Sequence, residues 1–518
     1  MSNIASRYKK LEQDREGYLA RARDNAKLTI PSLIPDEGST GSTEFTDPYQ
    51  SVGARGVMGL AAKATQTLLP PNEPFFRMDI EEFTLSELSQ NPEARAEVEQ
   101  VLTMMERTAS RSIEASGVRA AFYEAVSHLI VAGNVLIFLD DDIKLRVFNL
   151  NNYVVSRDPS GNIIEIITRE VVARASLPDA VQSLVASPED TTIPEGAKSP
   201  AVKSDTVDLY THVKRNGKVF DVIQAVNDVT IEGSAGNYAA DKVPWIPLRW
   251  TRVDGEPYGR SHVEAIAGDL KTLEALSKAI VEFAAVAAKV IPLVNPNGVT
   301  DEGDLAQAEN MEFVSGVEAD VSFLKIDKYA DLQVAKQLAD DLTKRLEQAF
   351  LMHSSIQRAG ERVTAEEIRF MAADLEATIG AVYVQLSQEF QLPLVLMTID
   401  RLVKQKRLPK LPKELLNPTV TTGIDALSRQ SDLHKLDRMV AGLRDLYGPE
   451  ALAAETNVSD YVKRRAAALG IDPTGLIKSA EQKAEEQQQR MQQQLMMQTA
   501  PNMVNQAGNI AAKGIEND

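Results

Sequence analysis

The stretch from Arg358 to Val395, "RAGERVTAEEIRFMAADLEATIGAVYVQLSQEFQLPLV", joins a short basic loop to a long helical pattern. Thr364 and Glu367 have the spacing of a capping box, so the helix is predicted to begin at Thr364. Pro393 lacks an N–H group and is expected to kink the helix. The positions predicted to face a core are Ile368, Leu375, Ile379, Val382, Leu386 and Phe390. This unit of loop and helix matches no catalytic pattern, so its role must be sought in the chain around it.

Two further helices are predicted directly before this stretch. Apolar residues step by three or four along residues 262–290, where Pro292 ends the pattern, and again along residues 331–350. The inward positions are Leu270, Leu273, Leu276, Ile280, Phe283, Ala287 and Val290 in the first helix, and Leu332, Ala335, Leu338, Leu342, Leu346 and Ala349 in the second. Between the helices, "PLVNPNGVT" and "MEFVSGVEADVSFLKI" predict a small β-rich insert.

The first half of the chain is predicted to be mixed α and β. Helices are expected at residues 6–27, 50–68, 92–117 and 119–132. "NVLIFLDDDIKLRVFNL", after Gly133, predicts a hairpin that turns at its aspartates, and "YVVSRDPSGNIIEIITREVV" predicts a second hairpin. Further strands are predicted in "TVDLYTHVKR", "KVFDVIQAVN", "VTIEGS" and "WIPLRWTRV". The expected fold class is therefore α+β, mainly helical.

The chain becomes less regular towards its C-terminal end. Residues 421–469 are predicted to be helical again, and a Gln-rich helix without a core stripe is expected from residue 477. The final stretch, "TAPNMVNQAGNIAAKGIEND", predicts a loose tail. A polar loop is expected at residues 186–203.

Composition and charge exclude several classes of protein. The chain has 518 residues, of which 43% are hydrophobic and 25% charged, which is ordinary for a globular protein of more than one domain. A formal net charge of −18 argues against a sequence-specific DNA-binding protein with a basic surface. It does not argue against a protein that lets DNA pass without binding it tightly. The absence of cysteine excludes disulfides and thiolate metal sites. No apolar stretch is long enough to span a bilayer, and without a signal-peptide pattern the protein is expected to fold in a cytoplasm.

The sequence carries no recognisable catalytic or cofactor motif. "EGAKS" at Glu195–Ser199 lacks the upstream glycine of a phosphate-binding loop, and no G-x-S-x-G is present. The histidines have no paired spacing, so structural roles are expected for them: His128, His212, His262, His353 and His434. Asp140–Asp142 could bind a hard cation such as Mg²⁺, but their place between two strand patterns favours a hairpin tip. We expect no enzyme activity, no cofactor and no metal.

Six short stretches are specific in their order and spacing, although each is weak alone. They are "TIPSL" at Thr29–Leu33, "VGARG" at Val52–Gly56, "VAGNVL" at Val131–Leu136, "YGRS" at Tyr258–Ser261, "LVNP" at Leu293–Pro296 and "GERVTAEEIR" at Gly360–Arg369. Through them, most of the chain resembles the portal (head-to-tail connector) proteins of short-tailed double-stranded-DNA bacteriophages. The Gln-rich end and the loop at 186–203 depart from the family pattern, which leaves the length of the last domain open.

The resemblance implies the portal fold, in which about twelve copies close into a ring around a DNA channel. The implied domains are a wing at 1–261, stem helices at 262–290 and 329–350, a clip at 291–328, a tunnel loop at 351–363, a long kinked helix between wing and crown at 364–405, a crown at 406–470, and a C-terminal helical barrel with a loose tail at 471–518. The implied function is genome packaging, tail attachment and genome ejection at the portal vertex of the virion, after assembly in the host cytoplasm.

The resemblance also implies two sets of site residues. In the tunnel loop, Arg358 and Arg362 are expected to contact DNA phosphates, with Gly360 giving the backbone its freedom. The clip is expected to meet the packaging motor and the tail adaptor through Asn295, Pro296, Asn297, Asp301 and Glu302. The implied partners are further copies of this chain, double-stranded DNA without sequence preference, the major capsid protein, the terminase large subunit, tail adaptor or nozzle proteins and internal core proteins, with no membrane.

Other interpretations stay open at this point. The two arginines could be ordinary surface residues of a helix connection. Another phage head component, such as a core scaffold or a head–tail adaptor, is the alternative function, although the β-rich first half speaks against a scaffold. A metal-dependent nuclease or ATPase would have to be built on the acidic runs.

Overall fold

The computed structural model describes most of the first 426 residues and short pieces of the remainder. The described residues are 3–71, 75–79, 92–177, 181–182, 206–226, 229–289, 292–323, 329–352, 380–409, 419–422, 437–446, 448, 461–462 and 465. The chain forms two compact units, Met1–Ala426 and Leu427–Asp518. In the second unit, residues 437–446 are helical, as predicted. The predicted loop at 186–203, the capping box at Thr364 and the Gln-rich end lie outside the described residues.

The four helices predicted in the first half are present. They are α1 (Ile4–Lys27), α2 (Val52–Leu68), α3 (Pro92–Ala115) and α4 (Val118–Ala132). Helix α4 packs against α1, α2 and α3 and is buried along most of its length. Gly117 and Gly133 stand at its two ends with left-handed backbone, at φ 69° and 74°. Because only glycine adopts this conformation readily, the two residues set where the helix begins and ends.

The strands form a mainly antiparallel framework beside these helices. They are β1 (Phe76–Asp79), β2 (Asn134–Leu139), β3 (Leu145–Phe148), β4 (Tyr153–Arg157), β5 (Ile163–Ala173), β6 (Thr206–Asn216), β7 (Val219–Val226), β8 (Val229–Thr230), β9 (Gly236–Ala239) and β10 (Trp245–Arg249). A three-stranded sheet has the order β10-β2-β3, and a larger sheet has the order β4-β5-β6-β7, with β8 and β9 both on the outer edge of β7. Both predicted hairpins are confirmed, whereas β9 was not predicted.

The three aspartates form the tip of the β2–β3 hairpin. The Lys144 N–H donates to Asp140 Oδ1 at 2.7 Å and the Asp140 N–H donates to the Lys144 carbonyl at 3.0 Å, which closes the turn. Asp141 reaches Arg401 at 3.5 Å. No group of three acidic or histidine side chains within the described residues is arranged to hold a metal ion. The hairpin-tip interpretation of the sequence is confirmed.

Two long helices with an insert between them follow the sheets. Their elements are α5 (His262–Ala287), β11 (Pro292–Val294), α6 (Glu302–Gln307), β12 (Val321–Phe323) and α7 (Tyr329–Ala349). Helices α5 and α7 pack together, and Arg345 of α7 pairs with Asp269 of α5 at 2.8 Å. The insert has less β structure than predicted, because β11 and β12 are three residues each and Asp301 caps a helix in place of a strand.

The predicted apolar faces of the pair are buried at one end only. Leu270, Leu273, Leu342 and Leu346 are buried near the sheets. Towards the insert, Leu338 is 49% exposed, which contradicts its predicted inward position. Ala287 is exposed as well, although it continues the same predicted face. Among the described residues of one chain, none covers the apolar surface of the distal half of the pair.

The last long helix is described from residue 380. Its hydrogen bonding widens to a π-helical turn at Ser387–Gln391 and returns to α-helix in α8 (Leu392–Lys404). The interruption lies in the turn before Pro393, where the missing N–H and the ring of the proline disturb the ladder. An irregular turn thus lies where the kink at Pro393 was predicted, and the kink itself stays a prediction. Phe390 is fully buried and stacks on Phe122 with ring centroids 4.1 Å apart.

One further strand corrects the sequence prediction. Residues 421–422 were expected to open a helix, but they belong to β13 (Thr419–Thr422), which pairs with β1. The β-branched residues of "TVTT" favour a strand, which the helical prediction overlooked. Within the searched residues, no helix has the length and apolarity that crossing a membrane requires.

Candidate functional site at the base of the helix pair

The beginning of α5 is held against α1 and α4 by hydrogen bonds of buried side chains. The Ser261 hydroxyl caps α5 by accepting from the Glu264 N–H at 2.9 Å. Asn25 of α1 donates to that same hydroxyl at 2.9 Å and to the Val131 carbonyl at 3.1 Å. Because Asn25 and Ser261 are both buried, these bonds fix the start of α5 against α1 and α4.

Asn134 ties the first residue of β2 to the segment before α5. Its Oδ1 accepts from the Gly259 N–H at 2.7 Å, and its Nδ2 donates to the Gly259 carbonyl at 2.9 Å. A Cβ on Gly133 would lie 2.6 Å from the Arg260 carbonyl carbon, and one on Gly259 would lie 2.8 Å from Arg249 Cβ. The close approach of the two backbones therefore requires both glycines.

Tyr258 and Arg260 anchor the same segment on its two sides. The buried Tyr258 hydroxyl accepts from the Val155 N–H at 3.0 Å, and burial raises the pKa of this phenol. Arg260 binds Glu256 at 2.7 Å and Glu264 at 2.9 Å. Hydrogen bonds from these two carboxylates raise the pKa of Arg260 above its usual value. All four residues of "YGRS" thus have a structural partner.

The turn that leads into α2 is built in a similar way. Gln50 donates to the Leu28 carbonyl at 2.7 Å and accepts from the Gly53 N–H at 2.8 Å. A Cβ on Gly53 would lie 2.5 Å from the Leu28 carbonyl oxygen. Glu274 of α5 accepts from the Tyr49 N–H at 3.0 Å. The connection between α1 and α2 is thereby linked to the first helix of the pair.

The end of α7 lies against α2 and α5 in the same region. Phe350 is fully buried, and a Cβ on Gly56 would lie 2.3 Å from its ring. The His262 ring lies edge-on between Trp250 and Phe350, and its Nε2 donates to the Ala349 carbonyl at 3.0 Å. Burial lowers the pKa of His262, so the neutral ring that makes this bond is favoured near pH 7.

The chain leaves α7 through a residue in an uncommon conformation. Leu351 is buried and has a φ of 55°, which costs a non-glycine residue about 1–2 kcal/mol. The Met352 N–H donates back to the Glu347 carbonyl at 2.8 Å, and Lys63 Nζ donates to the Leu351 carbonyl. These bonds satisfy carbonyl groups that a helix end otherwise leaves open.

Four of the six stretches singled out in the sequence meet at this base: "TIPSL", "VGARG", "VAGNVL" and "YGRS". No pattern in the sequence predicted the contacts between these stretches. A signal for one was present, because Gly53 and Gly56 stand three residues apart on one face of α2 and mark close approach by other chain segments. No comparable sequence pattern predicted the contacts of Phe350, Leu351 and Lys63.

The predicted clip residues all lie at the surface of the insert. Asn295, Pro296, Asn297, Asp301 and Glu302 are exposed. The insert is braced by hydrogen bonds: Asp320 Oδ2 accepts from the Val299 N–H at 2.9 Å, and the Thr300 hydroxyl accepts from the Val317 N–H at 2.8 Å. Thr300 is the only buried residue between 292 and 323. Residues 292–323 therefore have no apolar core of their own within the described part of the chain.

The predicted DNA-contacting residues follow the base of the pair in sequence. Arg358, Gly360 and Arg362 lie outside the described residues, which end at Met352 and resume at residue 380. Their role stays a prediction. The structure establishes the fixed point from which that segment starts.

Comparison with known proteins identifies the family of the chain. Residues 1–477 match the family described as "Bacteriophage head to tail connecting protein". The chain belongs to this family and is thus a head-to-tail connector, a structural component at the portal vertex of a phage capsid.

Two relatives with known names show that the chain is similar to portal proteins in particular. The chain is 40% identical to the portal protein of Enterobacteria phage T3 over 92% of this chain and 88% of the relative. It is 39% identical to the portal protein of Escherichia phage T7 over the same shares. It also aligns with a chain in the neck of an empty gene transfer agent particle, at 13% identity, 82% and 91% coverage and a TM-score of 0.37, a similarity too low to establish a shared fold.

Proposed function

We propose that this chain forms a closed ring of about twelve copies with heterologous contacts between neighbours. In this ring the helix pair α5–α7 is the stem and surrounds a central channel. Double-stranded DNA passes through the channel during packaging and ejection.

The observation that carries the proposal is the apolar surface of the distal helix pair and the insert. Among the described residues, eleven exposed large hydrophobic residues lie between residues 281 and 338: Val281, Val286, Leu293, Val299, Leu305, Met311, Phe313, Val317, Phe323, Val334 and Leu338. Soluble monomers rarely leave so large an apolar surface in water. Since the described residues 292–323 have no core of their own, adjacent copies of the chain are the natural cover for this surface.

The proposed parts of the subunit follow the elements of the chain. The sheets and helices of residues 1–261 form the wing, residues 291–328 the clip, and residues 351–363 the tunnel loop. Beyond them, residues 364–405 return to the wing, residues 406–470 form the crown, and residues 471–518 add a helical barrel and a tail.

The charge of the chain supports a channel that does not bind DNA tightly. A net charge of −18 per chain, repeated around a ring, repels phosphate and allows the duplex to slide. Arg358 and Arg362 would add a narrow positive zone where the loops approach the duplex. Their contacts would go to phosphates, so they would not depend on base sequence.

The clip is proposed to be the docking surface for the packaging motor and later for the tail. Residues 292–323 contain seven carboxylates and no lysine or arginine: Asp301, Glu302, Asp304, Glu309, Glu312, Glu318 and Asp320. Phe313 is fully exposed among them. Partner surfaces with basic groups around an apolar pocket match this chemistry. The proposed partners here are the terminase large subunit and tail adaptor or nozzle proteins; the wing and crown would meet the major capsid protein and internal core proteins.

The energy for packaging is proposed to come from the separate terminase motor. The chain itself has no phosphate-binding loop motif. Pure protein is expected to hydrolyse neither ATP nor DNA, and turnover that copurifies with the ring through successive columns would contradict this part of the proposal.

Measurement of mass in solution tests the ring. Multi-angle light scattering at micromolar concentration should give a mass close to a fixed multiple, about twelve, of the 56.7 kDa chain. A monodisperse species of 56.7 kDa would contradict the proposal.

A further inference from the structure

Helix α2 touches the end of α7 at two points. The first is Gly56, where the Phe350 ring lies so close that an added Cβ would be 2.3 Å from Cδ2 and 2.4 Å from Cγ. Ordinary contact between carbon atoms is about 3.5–4.0 Å, so any side chain at this position would displace the ring by about 1 Å or more. The absence of a side chain at Gly56 therefore leaves room for the Phe350 ring.

The second point is Lys63, whose ammonium group donates to the Leu351 carbonyl. Lys63 is half-buried and stands seven residues after Gly56, two helical turns further along the same face of α2. Leu351 is buried and has a left-handed backbone, and its carbonyl accepts the hydrogen bond from Lys63. The lysine thus holds the turn at which the chain leaves the helix.

We propose that α2 positions the segment after Met352 through a socket, defined as Gly56, Lys63, Phe350 and Leu351. The socket fixes both the last ring of α7 and the direction in which the backbone departs. The proposal rests on the proposed function in one respect: the segment positioned in this way contains Arg358 and Arg362. Lys63 and Gly56 are positioning residues that do not themselves touch DNA.

Packing of a hydrophobic core alone does not account for this arrangement. Leu60, which lies between the two points on α2, is fully buried without any polar contact. The Leu351 carbonyl could be satisfied by water if the turn were free to move. In contrast, the hydrogen bond from Lys63 of α2 to the Leu351 carbonyl fixes the direction in which the backbone leaves α7.

The test uses the absence of cysteine from the chain. Ala359→Cys in the full-length ring carries a single spin label per subunit, and distances between labels are measured by pulsed electron paramagnetic resonance. The test variants are Gly56→Ala and Lys63→Met. The matched control is Gly59→Ala on the same helix, where an added Cβ meets nothing within 4 Å. The rescue variant combines Gly56→Ala with Phe350→Leu, which gives room for the new methyl group.

The proposal predicts a shifted or broadened distance distribution in Gly56→Ala and in Lys63→Met rings. The Gly59→Ala ring should match the parent, and the Gly56→Ala/Phe350→Leu ring should return towards it. If Gly56→Ala prevents ring assembly, the Lys63→Met ring decides the question, because this substitution removes the hydrogen bond to the Leu351 carbonyl and keeps the length of the side chain. Parent-like distances in the assembled test rings would overturn the proposal.

Genome retention by heads that carry the same variants separates this inference from the proposed DNA contact. Changed label distances with lower genome retention support both ideas. Changed distances with parent-like retention support the socket and contradict the DNA contact. Unchanged distances contradict the socket, whatever the Arg358→Ala/Arg362→Ala variant does to retention.

Discussion

Asn134 and Gly259 form a reciprocal pair of hydrogen bonds across 125 residues of sequence, at 2.7 and 2.9 Å. One amide side chain thereby satisfies both backbone groups of a buried glycine. The pair joins the start of β2 to the segment that leads into α5. It sets the base from which the helix pair extends.

Replacement of Asn134 by Leu should lower the free energy of unfolding by about 2–4 kcal/mol, because two buried backbone groups each lose a partner. Urea or thermal unfolding at fixed protein concentration measures the change. Asn237→Leu, at an exposed position of β9, is the control and should change stability by less than about 0.5 kcal/mol. Equal effects of the two substitutions would show that the pair is not a stabilising contact.

Glu165 is predicted to make the stability of the protein depend on acid pH. Burial by itself would raise the pKa of Glu165, but hydrogen bonds from His212 at 2.7 Å and Arg7 at 2.7 Å lower it from 4.5 to about 2. A carboxyl group with a lowered folded-state pKa stabilises the fold above its unfolded pKa. This contribution is lost as the pH falls from 4.5 towards 2.

The shift corresponds to about 3 kcal/mol at neutral pH, since the pKa changes from 4.5 to about 2. Glu165→Gln should therefore be less stable than the parent at pH 7, and the difference should shrink as the pH falls below 4.5. Chemical denaturation across this range measures the difference, with Glu16→Gln at an exposed site of α1 as the control. A difference between parent and Glu165→Gln that does not vary with pH would contradict the assignment.

The ring contact is predicted to depend on exposed apolar residues of the helix pair. Val281→Asp in α5 (51% exposed) and Val334→Asp in α7 (65% exposed) should shift the protein from rings to smaller species, because each buries a charge between subunits. Sedimentation velocity at matched concentration measures the shift. Val171→Asp is the control, since this valine is 67% exposed on β5, within the proposed wing. Dissociation in the control but not in the test variants would place the contact elsewhere.

The loop arginines are predicted to act on the DNA and not on assembly. Arg358→Ala with Arg362→Ala should leave ring formation unchanged and weaken the packaging or retention of the genome, without changing which DNA is packaged. The defect should vary with salt concentration, because phosphate contacts are screened. Lys9→Ala with Lys10→Ala removes the same charge from exposed sites on α1 and should have no effect.

Filled heads and retained genomes at parental levels over a range of salt would show that the two arginines are ordinary surface residues. Failure of the double variant to form rings would assign them a structural role in contact with the adjacent subunit. The two outcomes are separated by electron microscopy of the rings before packaging.

Local patterns predicted much of the fold because they depend on neighbouring residues. The spacing of Leu270, Leu273 and Leu346 identified α5 and α7, and the alternation in the first half identified the hairpins. Strand β9 was missed because "GNYA" has no apolar alternation, and the strand forms by pairing with β7. The predicted interior position of Leu338 was wrong because periodicity shows that a face is apolar but not which molecule covers it.

The base of the helix pair could not have been predicted in the same way. Gly56 and Phe350 are in contact although almost three hundred residues separate them in the sequence. The sequence around either residue does not predict this contact. Asn134 and Gly259 are likewise joined only by the folded chain. Contacts of this kind depend on the tertiary arrangement and not on neighbouring residues in the sequence.

Electron microscopy of the purified full-length protein tests the central claim most directly. The account predicts closed rings of about twelve subunits, with a central channel wide enough for a DNA duplex and the α5–α7 pairs arranged around it. The insert at residues 292–323 should lie at one end, in contact with its neighbours. Single particles without a central channel, or rings in which the exposed faces of α5 and α7 touch no adjacent subunit, would contradict it.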